Sequence, residues 1–162
     1  MRRLLYVSVP VLLLLAGASG RAERSGGEPQ QPAGGVIQSQ EINTTGIVAE
    51  FIECKRKEGV LSVKVRLRNT TNASIKLGVI TAWSDYDVYY VTAGSKKYFV
   101  LRDEEKVPLA PTPDSFGHLY VDIPRGGAYT WWAKYPAPPD SETKINYFMP
   151  LGAPFEDIPI GS

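Results

Sequence analysis

Between Val60 and Arg68 every second residue is apolar: Leu61, Val63, Val65 and Leu67 alternate with Ser62, Lys64, Arg66 and Arg68. Successive side chains of an extended chain point to opposite faces, so this rhythm specifies a strand with one buried and one wet face. Just upstream, Gly46 to Cys54 is rich in β-branched and aromatic residues, and Lys55-Arg56-Lys57-Glu58-Gly59 is a polar turn ending in glycine. The two stretches are predicted to pair as an antiparallel hairpin, with the next corner at Asn69-Thr70-Thr71-Asn72.

The same grammar continues to the end of the chain. Strands are predicted at Ser74 to Ile80, Tyr86 to Thr92, Lys97 to Arg102, Phe116 to Ile123, Ala128 to Tyr135 and Thr143 to Met149. Turn-forming runs separate them, among them Asp103-Glu104-Glu105-Lys106, Pro124-Arg125-Gly126-Gly127 and Pro136-Ala137-Pro138-Pro139. No window shows sustained apolar recurrence at three and four residues, so helix is nearly absent from the prediction. Eight short strands at this spacing predict an all-β domain of two packed antiparallel sheets, from about Ile42 to Ser162.

Residues 1–18 read as an export signal. Arg2 and Arg3 form a basic start, Leu4 to Ala16 an apolar stretch, and Ala16-Gly17-Ala18 a small-residue cleavage site. The apolar stretch is short beside the roughly 20 residues of a membrane helix. An uncleaved anchor is the competing reading, in which case the protein would touch the membrane. No cysteine follows the stretch to accept a lipid. Residues 19–41 read as a flexible Gly/Pro-rich linker, since they carry no periodic apolar pattern.

Composition removes several function classes. The chain has one histidine and one cysteine, too few for a His/Cys zinc site or an intrachain disulfide. Its net charge is +1, and removing residues 1–18 leaves 16 of the 18 basic residues against 17 acidic ones. A nucleic-acid ligand needs a concentrated basic face, so that partner is set aside. His118 and Asp122 lie four apart on a predicted strand, about 13 Å from one another, and do not form a catalytic pair. Asp85, Asp87, Asp103, Glu104, Glu105 and Asp114 fall near turns but lack the alternating spacing of a calcium loop. Cys54 reads as a buried small hydrophobe, with an intermolecular disulfide as the alternative. Asn43, Asn69 and Asn72 match the glycosylation pattern, though Asn and Thr are also ordinary corner residues. No cofactor is expected.

Aromatic residues crowd Tyr86 to Phe148, and the adjacent pairs Tyr89-Tyr90 and Trp131-Trp132 must point to opposite faces of their strands. One member of each pair is core and the other is available for stacking on a sugar ring or anchoring a protein. Tyr89 and Trp131 are taken as the candidate binding surface; cross-strand packing of the outer face is the alternative.

The strand and charged turn from Gly46 to Asn72, the run Lys97-Tyr98-Phe99-Val100-Leu101-Arg102-Asp103 and the turn at Pro124 to Gly127 resemble small exported bacterial immunoglobulin-like domains of the mycobacterial secreted immunoprotective antigen type. The closing segments Trp132 to Pro138 and Pro154 to Ile160 resemble those of uncharacterised exported bacterial proteins. The resemblance implies an immunoglobulin-like antiparallel β-sandwich of about seven or eight strands with Greek-key connections and no catalytic residues to carry over. The chain lacks the paired cysteines of antibody domains. The expectation is an exported, periplasmic or extracellular, non-enzymatic module that binds another envelope protein; the alternative is a carbohydrate-binding module using exposed Tyr and Trp.

Overall fold

The structure, a computed structural model, describes residues 35–162. The expected signal segment and most of the expected linker lie outside the described residues. Ten strands and one 3₁₀ turn build the rest: β1 (Gln38–Glu41), β2 (Ile47–Lys57), β3 (Val60–Asn69), β4 (Ile75–Ile80), the turn Trp83–Val88, β5 (Tyr90–Ala93), β6 (Lys96–Phe99), β7 (Leu119–Ile123), β8 (Ala128–Pro136), β9 (Lys144–Phe148) and β10 (Phe155–Pro159). The strands pair antiparallel throughout. One four-stranded sheet runs β1-β2-β3-β8, a second runs β10-β9-β5-β6, and β4 pairs with β7 in a two-stranded sheet.

The alternation of β3 does what its sequence requires: Leu61, Val63, Val65 and Leu67 are fully buried between the sheets. Aromatic contacts join the two large sheets. Phe51 of β2 meets Tyr147 of β9 and Phe155 of β10 edge-on at 5.6 and 5.4 Å. Trp131 of β8 stacks on Tyr89 at 4.3 Å and donates its indole N–H to the Tyr147 hydroxyl at 2.7 Å. The hydrogen bond matters because a buried indole N–H without an acceptor is costly.

β2 holds a feature that strict alternation hides. Its register against β3 shifts between Phe51 and Glu53, so Ile52 is the extra residue of a β-bulge. The bulge inverts the phase. Ile47, Ala49 and Phe51 face inward before it and Cys54 after it, while Glu50 and Glu53 both face outward, opposite Arg66 and Lys64. Cys54 is buried, and burial pushes its thiol up to about 12, which makes it a poor nucleophile or disulfide former.

Several predicted boundaries move. The sheet begins at Gln38, inside the expected linker, because a short edge strand is held by main-chain pairing to β2 and needs no apolar face. The expected strand at Tyr86 to Thr92 starts only at Tyr90: the Asp85 carboxylate accepts from the Thr81 N–H and hydroxyl and the Ala82 N–H, winding the preceding residues into the 3₁₀ turn. The expected strand at Phe116 starts only at Leu119, since Asp114 Oδ1 accepts from the N–H groups of Phe116 and His118 and folds that segment into a turn. His118 therefore lies off the strand. β10 is an additional strand between flanking prolines. At the Asn69 corner the side chain is 1% exposed. Its Nδ2 donates to the carbonyls of Ala73, Ile123 and Pro124 and its Oδ1 accepts from Thr71, a structural lock incompatible with glycosylation.

Candidate functional site

The two predicted surface aromatics are not at the surface. Tyr89 and Trp131 are both fully buried, stacked on one another in the core. Each strand's parity explains the correction: Trp131, Ala133 and Tyr135 form the apolar row of β8, and Thr130, Trp132 and Lys134 the exposed one. The outward members of the pairs are Tyr90 and Trp132.

Tyr90 has no open ring face. Phe148 stacks on it at 4.5 Å with planes 12° apart, and the Lys97 ammonium sits 3.8 Å from its ring centroid. With Phe99 opposite on β6, the outer face of the β10-β9-β5-β6 sheet carries an aromatic ladder centred on Tyr90. Trp132 differs. It is 38% exposed and, among the described residues, no aromatic ring or cation covers it. It borders a shallow pocket of about 200 Å³ lined by Glu53, Ser62, Lys64 and Lys134.

The outer face of the β1-β2-β3-β8 sheet is thus one polar surface with a single tryptophan. Its axis is the outward row of β3, Ser62, Lys64, Arg66 and Arg68, with Lys134, Trp132, Thr130 and Ala128 of β8 opposite in register. On the β2 side, Glu53 pairs with Lys64 at 3.1 Å, while Glu50 takes Arg66 Nε at 2.6 Å and Arg68 Nε at 2.8 Å. Burial opposes ionisation of Glu50, but the hydrogen bonds from Arg68 and Arg66 and their charges together hold its carboxyl below the usual range.

The outer side of β8 is not paired with another strand. Asn69 N–H bonds Gly127 C=O at 2.9 Å and Ala137 N–H bonds Gly59 C=O at 2.8 Å, which sets the odd-numbered residues of β8 as the ones hydrogen-bonded to β3. The main-chain groups of Thr130, Trp132 and Lys134 accordingly point off the sheet. Lys134 finds partners there, receiving Leu101 N–H at 2.8 Å and donating to Leu109 C=O at 3.0 Å. Thr130 and Trp132 have none among the described residues.

The remaining candidates resolve into structural roles. Asp85 and Asp114 cap turns, as does Asp103, which accepts from Val107 N–H at 2.7 Å. A second pocket of about 200 Å³ beneath Val107, Pro108 and Pro113 is largely apolar. Its Tyr86 hydroxyl is used by Pro111 C=O, and its Arg102 spans Asp87 and the Lys106 carbonyl. Among the described residues no helix is long and apolar enough to cross a membrane, and no three His, Cys, Asp or Glu side chains gather as metal ligands. No protein-family model matches the chain, and no curated protein or solved structure does.

Proposed function

We propose that this chain is an exported, non-enzymatic binding module of the bacterial envelope that takes a segment of another protein along the open edge of β8. The observation that carries the reading is the pair of adjacent outward positions, Thr130 and Trp132, whose main-chain donors and acceptors lack partners beside an exposed indole. Exposed edges are normally blunted because they template pairing with another chain, and the loop at Leu101 and Leu109 covers this one only as far as Lys134. An extended peptide added there gains main-chain hydrogen bonds, with Trp132 as its side-chain anchor. The export-signal pattern of residues 1–18 and the resemblance to small exported immunoglobulin-like domains support the compartment.

Thr130→Pro tests the edge directly. The Thr130 N–H faces away from β3, so proline leaves the β3–β8 ladder intact and blocks only the outer side. Purified protein offered to envelope extract should retain a stoichiometric partner that Thr130→Pro fails to retain. Equal retention by both proteins defeats the edge reading. A second reading, carbohydrate binding, is favoured by the uncovered Trp132 ring with the Ser62 hydroxyl beside it. Thr130→Pro separates the two, because it blocks the main-chain edge but leaves the Trp132 ring and the Ser62 hydroxyl in place.

A further inference from the structure

On the carbohydrate reading the ligand's charge is also legible, and it comes from the far end of the same face. Arg66 and Arg68 are two apart on β3, so their side chains leave the sheet about 6.6 Å from one another. Two like charges this close would repel and splay. They do not, because the carboxylate of Glu50, a buried residue, binds the Nε of each. The attachment is specific to the inner edge of each guanidinium. The terminal Nη groups make no hydrogen bond among the described residues, and the two side chains remain 31% and 44% exposed.

Glu50 thereby works as a bracket: it fixes two planar forks in orientation and leaves their outer donors free. One carboxylate offsets one of the two arginines, so the bracketed pair retains a single positive charge. Planar forks of this kind bind carboxylate or sulfate in paired hydrogen bonds, in a way lysine does not. Along the same row, Lys64 is opposite Trp132, with Arg66 one step of about 6.6 Å beyond it and Arg68 two. The Ser62 hydroxyl, the Trp132 ring, the Thr130 hydroxyl and the pinned cationic pair therefore follow one another along the paired strands β3 and β8.

We infer that this face binds an anionic glycan, one sugar ring stacking on Trp132 and the carboxylate or sulfate group of a neighbouring sugar held by the free Nη groups of Arg66 and Arg68. The inference rests on the carbohydrate reading and adds to it the acid group. A neutral sugar leaves the arginine forks unused; a wholly non-cyclic polyanion leaves the indole unused.

The test uses the full chain at low salt with four glycan probes, oligogalacturonate, its methyl ester, sulfated dextran and plain dextran, and with polyglutamate as a non-sugar polyanion. An acidic probe should bind about tenfold or more tightly than its neutral counterpart, and the acid that does so identifies carboxylate or sulfate as the group recognised. Affinity should fall as salt rises. Arg66→Gln and Arg68→Gln should each weaken the acidic probe about tenfold and leave the neutral one unchanged, while Trp132→Ala should weaken both. Arg68→Lys keeps the charge but gives up the fork, and it should reproduce most of the loss when assayed at a temperature where the variant is folded.

If neutral and acidic forms bind equally and the arginine variants change nothing, the acid inference falls and the sugar reading stands. Failure of all four glycan probes removes both, while the edge reading keeps its own test in Thr130→Pro. Binding of polyglutamate as tight as that of the acidic glycans, insensitive to Trp132→Ala, would mean contact by charge alone and would overturn the inference.

Discussion

Both large sheets carry aromatic residues on their solvent faces, yet Tyr90 on one and Trp132 on the other differ in what their rings have left to offer. On the β10-β9-β5-β6 sheet, Tyr90 is sandwiched between the Phe148 ring and the Lys97 ammonium, so its two faces are spent inside the molecule. On the β1-β2-β3-β8 sheet, Trp132 stands alone among charged neighbours that pair with one another instead. Exposure by itself does not separate them: Phe99 of the Tyr90 ladder is 46% exposed and Trp132 is 38% exposed. What distinguishes a binding surface from packing is whether the ring face has a partner already.

The largest effect that sharpens this contrast lies within one dipeptide. Trp131→Ala empties a fully buried site and orphans the Tyr147 contact, and it should cost about 3–5 kcal/mol in chemical denaturation. Trp132→Ala should cost under about 1 kcal/mol, in line with an outer-face cross-strand contact. A ligand assay on Trp131→Ala would therefore report unfolding, and only the neighbouring substitution reads the surface. Comparable losses of stability from the two would break the distinction between core and face.

The outer face of the β1-β2-β3-β8 sheet is ionic where the other is aromatic, so acid should act on it selectively. Glu50→Gln removes the charge that both arginines share and should destabilise the domain by about 2 kcal/mol at neutral pH. Because the folded-state pKa of Glu50 lies below its unfolded value, its contribution is fully present above the ordinary glutamate value of about 4.3. That contribution is lost as pH falls from there through the depressed folded value. Thermal melts from pH 7 down to about 3 should show the gap between wild type and Glu50→Gln closing below about 4.3. A gap that persists unchanged in acid would show that Glu50 acts through packing, not charge.

Where the sequence was informative, it was so through side-chain parity, and its failures are failures of parity. β3 could be read residue by residue because four apolar and four polar positions alternate without interruption. The β8 row was equally readable: Thr130 and Lys134 flank Trp132 two residues on either side, which marks Trp132 as the outward tryptophan, and Tyr90 shares its parity with Thr92. A surface position for Tyr89 and Trp131 runs against those neighbours. Other features left no such trace. The bulge at Ile52 inserts one residue into β2 without changing its composition, so the meeting of Glu50 and Glu53 on one face with Arg66 and Lys64 is visible only in three dimensions. β1 is polar and held by main-chain bonds, β10 is bounded by prolines, and the turns at Asp85 and Asp114 replace the predicted strand starts through single carboxylates accepting several N–H groups.

The Tyr90 ladder supplies the next test. Tyr90→Ala removes a stacked ring and a cation–π contact together, at a cost of about 1–2 kcal/mol. Binding of a partner or glycan to the opposite sheet should be unchanged at a temperature where the variant is folded. Loss of binding without loss of fold would move the functional surface to the wrong sheet for everything proposed above.

The smallest effect separates stability from binding within the β1-β2-β3-β8 sheet itself. The β2–β3 hairpin turns through Glu58 and Gly59 with φ of 51° and 77°, so both central residues are left-handed, as in a type I′ turn. Glycine takes that conformation freely; glutamate does so against steric resistance, which asparagine largely escapes. The ion pair Glu58 makes with Lys57 spans 3.9 Å between side chains that are each 84% exposed, and its loss should be negligible. Glu58→Asn should therefore stabilise the domain by about 0.5–1 kcal/mol, read as a raised denaturation midpoint at unchanged slope. The turn lies at the end of the sheet, away from Trp132 and the arginine pair, so the same variant should bind every ligand as the parent does. A change in affinity from this substitution would mean that the face responds to the stability of its sheet, and the losses expected of Trp132→Ala and Arg68→Gln would then have to be measured against variants matched in stability.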